Sequence, residues 1–204
     1  MELVPYFTQE NQPDMTGWYY FEKAFNTEEV EDILKLTEGF PYQAAQIAGK
    51  DMDLTEYRKS NIKWISALDS ANNSIHRTHW LYDRLMSYMT IANDNLWNFS
   101  LRGLTDSIQY TEYHGEEEGF YDWHLDIGPR ELSIRKLSLV VQLSDPKDYT
   151  GGELQIKTGK YDSVPSKTQG TVIVFPSYLL HRVTPVTSGI RKSLVLWAGG
   201  ESLK

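Results

Sequence analysis

From Asp106 onward the chain turns into a succession of short runs rich in β-branched and aromatic residues: "SIQYTEY", "FYDWHLDI", "KLSLVVQLS", "ELQI", "TVIVF", "HRVTPV" and "KSLVLWA". Turn-forming stretches such as "SDPKDYTGG" and "VTSG" separate them, and no helical pattern intervenes. Parallel strands would need helical crossovers between them, so these strands must pair mostly antiparallel and close into a sandwich or barrel. "TVIVF" is apolar at four successive positions, Val172 to Phe175, the mark of a strand buried on both faces. Before Asp106 the texture is mixed. A strand is expected in "GWYYFEKAF"; Asn26, with Glu29 three positions on, can cap a helix whose apolar stripe is Val30, Ile33 and Leu34. A longer helix is expected from about Ser74 to Ile91, where Ile75, Leu81, Tyr82, Leu85, Met86 and Met89 recur at helical spacing. The fold class is therefore mainly β with flanking helices (α+β). With no repeat or linker in sight, we expect one domain over residues 1–204, with 1–105 flanking a core at 106–204.

Composition narrows the chemistry. A formal net charge of -8 disfavours nucleic acid as the main partner, because phosphate backbones are held by lysine and arginine. Cysteine is absent, so a metal would have to be held by His, Asp or Glu. No apolar run reaches membrane-spanning length, and "MELVPYFTQENQPDM" lacks the basic start and apolar run of a signal peptide; the expected location is cytoplasmic.

In "YDWHLDIG", strand alternation sets His124 and Asp126 on one side and Tyr121, Trp123, Leu125 and Ile127 on the other, which reads as core. Such a pair alone is a weak signal. The later stretch "FPSYLLHRVTPVTSGIRKSLVLWAGG" strengthens it with His181, an expected turn at Thr187–Gly189, and Arg191 and Ser193 on the returning strand. Two imidazoles and one carboxylate are the facial set of non-haem Fe(II) oxygenases, which leaves coordination positions open. A 2-oxo acid could chelate two of them, with dioxygen at the third. Its distal carboxylate would need a cation. Arg191 fits that need: on a hairpin it would sit very roughly 10 Å from His181, and its planar fork grips carboxylates in two-pronged fashion. Ser193 shares its face and could add a hydrogen bond.

"FYDWHLD", "SLVVQLSDPKDYTGGELQI" and "GTVIVFPSYLLHRVTPVTSGIRKSLVLW" together resemble the 2-oxoglutarate- and Fe(II)-dependent dioxygenases of the prolyl 4-hydroxylase-like superfamily, nearest to the bacterial PKHD-type hydroxylases. The resemblance covers Asp106 to Trp197. It implies a double-stranded β-helix (jelly roll, cupin-like), with His124, Asp126 and His181 matching the iron ligands and Arg191 the 2-oxoglutarate clamp. Tyr113 matches a tyrosine that contacts the co-substrate, and Ser193 the partner of the clamp. Further implications are hydroxylation coupled to conversion of 2-oxoglutarate and dioxygen to succinate and carbon dioxide, and ascorbate as reductant. Asp126 departs from the halogenating relatives, which have no carboxylate there. The substrate implied is a protein or peptide side chain, with proline foremost. A free amino acid or other small molecule is the alternative; a metal-binding jelly-roll module without turnover is a different class, and a zinc hydrolase would leave Arg191 unexplained.

Other residues invite blander readings. His114 and Glu116–Glu118 read as a solvated acidic loop, able to act as a lid over the site. His76 and His79 fall in the helical pattern and receive no ligand role. Trp123 reads as core, and Trp197, on the face of Arg191, as pocket floor. Gly151 and Gly152 lack the helix and lysine of a phosphate loop and read as a tight turn.

Overall fold

The computed structural model describes residues 17–44, 57–69 and 73–201; the amino-terminal stretch read above for its lack of signal character lies outside them. The first strand and helix are β1 (Tyr19–Phe21) and α1 (Thr27–Thr37). The Asn26 side chain accepts from the Glu29 amide while the Glu29 carboxylate accepts from the Asn26 amide, each at 2.9 Å, closing the expected capping box. Three short strands follow: β2 (Gln43–Ala44), β3 (Arg58–Lys59) and β4 (Asn61–Ile65). Helix α2 runs His76–Leu96 and buries Leu81, Leu85, Met89 and Ala92 on one face. No described helix is long and apolar enough to cross a membrane.

The remaining strands are β5 (Leu101–Leu104), β6 (Ile108–His114), β7 (Phe120–His124), β8 (Arg135–Gln142), β9 (Tyr149–Gly151), β10 (Leu154–Thr158), β11 (Tyr161–Ser163), β12 (Val172–Pro176), β13 (His181–Val183) and β14 (Val186–Gly200). They form two antiparallel sheets packed face to face. The major sheet runs β1-β12-β8-β14-β6-β4-β2, with β5 and β9 also pairing β14; the minor sheet runs β11-β10-β13-β7-β3. This is the double-stranded β-helix expected from the sequence.

Period-two alternation divides the major sheet into two working faces. Leu137, Leu139, Val141, Val172, Val174, Leu194, Leu196 and Ala198 point one way and join α1 and α2 in the larger apolar core. The intervening Val140, Ile173 and Phe175 point the other way and meet Leu154, Ile156 and Leu179 in a second core between the sheets. Burial of side chains this size contributes roughly 1.5–3 kcal/mol each, so the helices stabilise the major sheet from outside and leave its inner face available for polar work.

Several local expectations differ from the structure. β14 is one continuous strand through Thr187–Gly189, where a turn was expected; Gly189 takes φ +70° within an irregularity opposite β9. His181 and Arg191 are accordingly not hairpin partners. β13 lies in the minor sheet and β14 in the major one, so the two residues face each other across the sandwich. Trp123 is not core either: it is half-buried, with the Arg182 guanidinium 4.7 Å and the Lys157 ammonium 4.9 Å from its ring.

Candidate active site between the two sheets

His181 pairs directly with His124 across β13 and β7, and the chain leaves β7 so that the Asp126 and Ile127 amides both donate to the Ser177 carbonyl. These constraints bring His124, Asp126 and His181 together, their ligating atoms all within 4.8 Å of one another and every side chain buried. His124 Nε2 lies 3.7 Å from Asp126 Oδ1, and His181 Nε2 lies 3.5 Å from Oδ2. Each imidazole is oriented from behind: Nδ1 of His124 is 2.7 Å from the Asp122 carbonyl, and Nδ1 of His181 is 2.9 Å from the Leu179 carbonyl. A carbonyl only accepts, so Nδ1 of each ring carries a proton and Nε2 is the nitrogen turned to the centre. Ser138 Oγ donates to Asp126 Oδ2 at 2.6 Å and so fixes the carboxylate as well.

The protonation states suit a cation. Burial first, and then the proximity of His181, hold the His124 pKa down at about 3, so its imidazole is neutral near pH 7. Burial alone would raise Asp126. The two histidines and the Ser138 hydroxyl outweigh it and hold the carboxyl at about 2, so it is ionised. The neutral His124 nitrogen, the His181 nitrogen and one anionic oxygen converge on one point, the donor chemistry of a divalent-metal site.

Arg191 lies in the same cavity, 1% exposed, with no carboxylate in salt-bridge range among the described residues. Its Nη2 donates to Gln142 Oε1 at 3.0 Å and Nη1 to Ser193 Oγ at 3.3 Å, while Tyr113 sets its ring 5.5 Å from the guanidinium carbon. Cross-strand register explains this grouping, since Arg191 is opposite Tyr113 and Ser193 is opposite Gln142. Arg191 Nε and Gln142 Nε2 are both buried donors with no partner. A buried cation with no counter-anion among the described residues, beside a second unused donor, is costly unless an anion completes it, and a carboxylate matches that need. Gln142 was missed in the sequence, although its register opposite Ser193 follows once β8 and β14 are aligned.

The cavity has a volume of 620 Å³. Arg191, Ser193 and Val195 line its inner part, and the exposed residues Gln43, Leu125, Pro129 and Glu131 border it where it meets solvent. Trp197 lines it as expected. The acidic loop does not: Gly115–Glu117 forms a 3-10 turn against β14, and His114 instead sits 3.0 Å from Glu112. Alternation places Tyr121 in the core, yet it lines the cavity and stacks on His124 with ring centroids 3.5 Å apart. The register between β13 and β7 slips between Tyr121 and His124, a bulge that turns both residues to the same side. Gly151 and Gly152 form the expected turn, at φ +75° and +60°.

A jelly roll holding two histidines and an aspartate around one point, with a buried arginine deeper in the same cavity, defines the facial-triad oxygenase class of proteins. Residues 108–199 match the model of the 2OG-Fe(II) oxygenase superfamily. A PKHD-type hydroxylase of Teredinibacter turnerae is 39% identical over 84 residues, 39% of this chain and 37% of the relative, and one from a Synechococcus strain is 42% identical over 83 residues, 40% and 37%. The matched segment thus spans little more than a third of those relatives. Among solved structures, a prolyl hydroxylase of Trichoplax adhaerens, in complex with a hypoxia-inducible-factor peptide, superposes with a TM-score of 0.73 at 19% identity, covering 91% of this chain and 84% of that one. A Pseudomonas putida prolyl-4-hydroxylase gives 0.64 at 20% identity, covering 92% and 94%. The sequence likeness to the 2OG-Fe(II) oxygenase superfamily thus falls on residues 108–199, and the likeness of fold extends over nine-tenths of the chain.

Proposed function

We propose that the protein is an Fe(II)- and 2-oxoglutarate-dependent dioxygenase that hydroxylates a protein or peptide side chain, with proline the foremost candidate. The observation that carries this reading is the presence, in one cavity, of the His124, Asp126 and His181 donor set and the buried, carboxylate-free Arg191. His124, Asp126 and His181 would hold the iron. Arg191, assisted by Ser193, Gln142 and Tyr113, would hold the distal carboxylate of 2-oxoglutarate. Iron bound there would supply activation of dioxygen coupled to oxidative decarboxylation of the co-substrate, with ascorbate keeping the metal reduced. The chain's own contribution is positional. Ser138 and the two backbone carbonyls fix the three donors, and the apolar packing of Val140, Leu154 and Val195 around the inner cavity keeps water out.

Peptide is favoured over metabolite by the mouth of the cavity, where the separated segments at Gln43 and at Leu125–Glu131 border an opening and Leu125 is 47% exposed. The similarity to two prolyl hydroxylase structures supports proline. We treat 1–204 as one catalytic unit, in which 106–204 carries the metal and co-substrate groups and 1–105 flanks them. The test is succinate release from 2-oxoglutarate by the iron-loaded protein. Slow release without substrate is expected, lost in His124→Ala and Asp126→Ala. In Arg191→Gln the concentration of 2-oxoglutarate required should rise by about 30-fold or more, the cost of removing one partner of a buried charge pair. Wild-type protein that neither binds 2-oxoglutarate nor releases succinate would refute the assignment.

A further inference from the structure

A second guanidinium faces the same cavity. Arg58, on β3, is 9% exposed and lines the cavity wall. Its Nε donates to Ser60 Oγ at 2.8 Å and its Nη2 to Gln109 Oε1 at 2.6 Å, both neutral acceptors. No described carboxylate lies in salt-bridge range, and Nη1 has no hydrogen-bond partner among the described residues. Its carbon sits 4.6 Å from the centre of the Tyr121 ring, which stacks on His124 at 3.5 Å; the two separations bound it to about 8 Å from the His124 ring.

The third arginine on the wall provides the contrast. Arg135 donates to Asp106 Oδ2 from Nη2 at 2.7 Å and from Nε at 3.1 Å, so its charge is neutralised inside the protein. Asp126 belongs to the metal set, and Glu131, the other lining carboxylate, is solvent-exposed. Suppose the site holds iron(II) and the 2-oxoglutarate dianion. Asp126 and the co-substrate then offset the metal and Arg191, the Arg135 pair is neutral, and among the described residues Arg58 is left as one uncompensated positive charge. In a chain of net charge -8, an unopposed cation inside the reaction cavity marks a place for a negative group of the substrate.

We propose that Arg58 is a substrate-binding residue and that the substrate carries a carboxylate, seated against Arg58 while the carbon to be oxidised faces the metal. The proposal rests on the oxygenase reading of the site. The carboxylate can come from an acidic residue of a peptide or from the main-chain acid of a free amino acid. The cation-π contact with Tyr121 is part of the design, because it fixes the guanidinium and leaves Nη1 to bind.

The test is calorimetric titration of the Mn(II)-loaded protein, which binds without turnover, at saturating 2-oxoglutarate. Two acid and amide pairs are compared: L-proline with L-prolinamide, and acetyl-Glu-Pro-amide with acetyl-Gln-Pro-amide. The acid should bind at least ten-fold more tightly in one pair, and the pair that discriminates names the source of the carboxylate. Arg58→Gln should reduce that preference to two-fold or less, Arg58→Lys should retain most of it, and both variants should bind 2-oxoglutarate within about three-fold of wild type. Equal affinity for acid and amide in both pairs, or no binding of either, overturns the proposal even if Arg58→Gln fails to fold. So does equal weakening of both members by Arg58→Gln. Failure to bind 2-oxoglutarate at all would instead overturn the underlying assignment, so the two failures are separable.

Discussion

Ser138→Ala isolates what the support behind a ligand is worth. The Ser138 hydroxyl is completely buried, 2.6 Å from Asp126 Oδ2 and 3.0 Å from Ser177 Oγ. A hydrogen bond to a charged group contributes about 1.5–3 kcal/mol, so its loss should raise the Asp126 pKa by about one to two pH units. From a starting value of about 2 the carboxyl still ionises fully at pH 7. Any loss of metal at neutral pH must therefore come from orientation, because the carboxylate has lost the anchor that aims it between His124 and His181. Deletions of this kind typically weaken metal binding by about 10–100-fold. The assay is competition for Mn(II) against a colorimetric chelator at pH 7.5, with urea unfolding of the same samples to register the small cavity. The pH at which bound metal is released on acidification should also move up by one to two units. A Kd within two-fold of wild type, with Asp126→Ala abolishing binding, would refute the idea that Ser138 positions the ligand.

Two further outcomes follow from the same geometry. The His124 imidazole takes up a proton only near pH 3 in the folded, metal-free protein but near 6.5 when unfolded. The unfolded chain thus binds more protons between those values, and the stability of metal-free protein should fall as pH drops from about 6.5 toward 3, with Asp126 adding to the loss only below about 4. A melting temperature that is flat from pH 6.5 to 4 would contradict this. Gly152→Ala should weaken 2-oxoglutarate binding by about ten-fold without touching the co-substrate, since Gly152 is at φ +60° and an added Cβ would stand 2.8 Å from Arg191 Cδ and from Val186 Cγ2. Unchanged affinity in a Mn(II)-supported titration would show that Arg191 tolerates the shift.

The residues legible in the sequence were those whose meaning is local. Asn26 and Glu29 announce a helix start by spacing alone, and the alternation of Leu194, Leu196 and Ala198 against Ser193, Val195 and Trp197 divides a strand into two faces without reference to anything distant. His124, Asp126, His181 and Arg191, which the structure gathers in one cavity, stand out in the sequence because few residue types can ligate a metal or grip a carboxylate, and because they lie in recognisable stretches. What escaped depends on neighbours from elsewhere in the chain. Tyr121 was misplaced because one bulge reverses the parity on which alternation relies. Arg58 sits beside no motif and acquires significance only when β3 pairs with β7 and sets it over Tyr121. Gln142 needs the β8–β14 register, and the separation of His181 and Arg191 into different sheets contradicts their closeness in sequence.

β14 touches β5, β6, β8 and β9, and Arg191 stands well inside it. Its amide, tied into the most cross-linked ladder of the molecule, should exchange with solvent only when the entire structure opens. The proposed carboxylate grip therefore has no hinge of its own. Adjustments that admit or release reactants must fall to the short edge strands and to the exposed stretch at Pro129–Glu131, beyond the anchored Asp126 and Ile127, so that give and anchorage are assigned to opposite walls of one chamber.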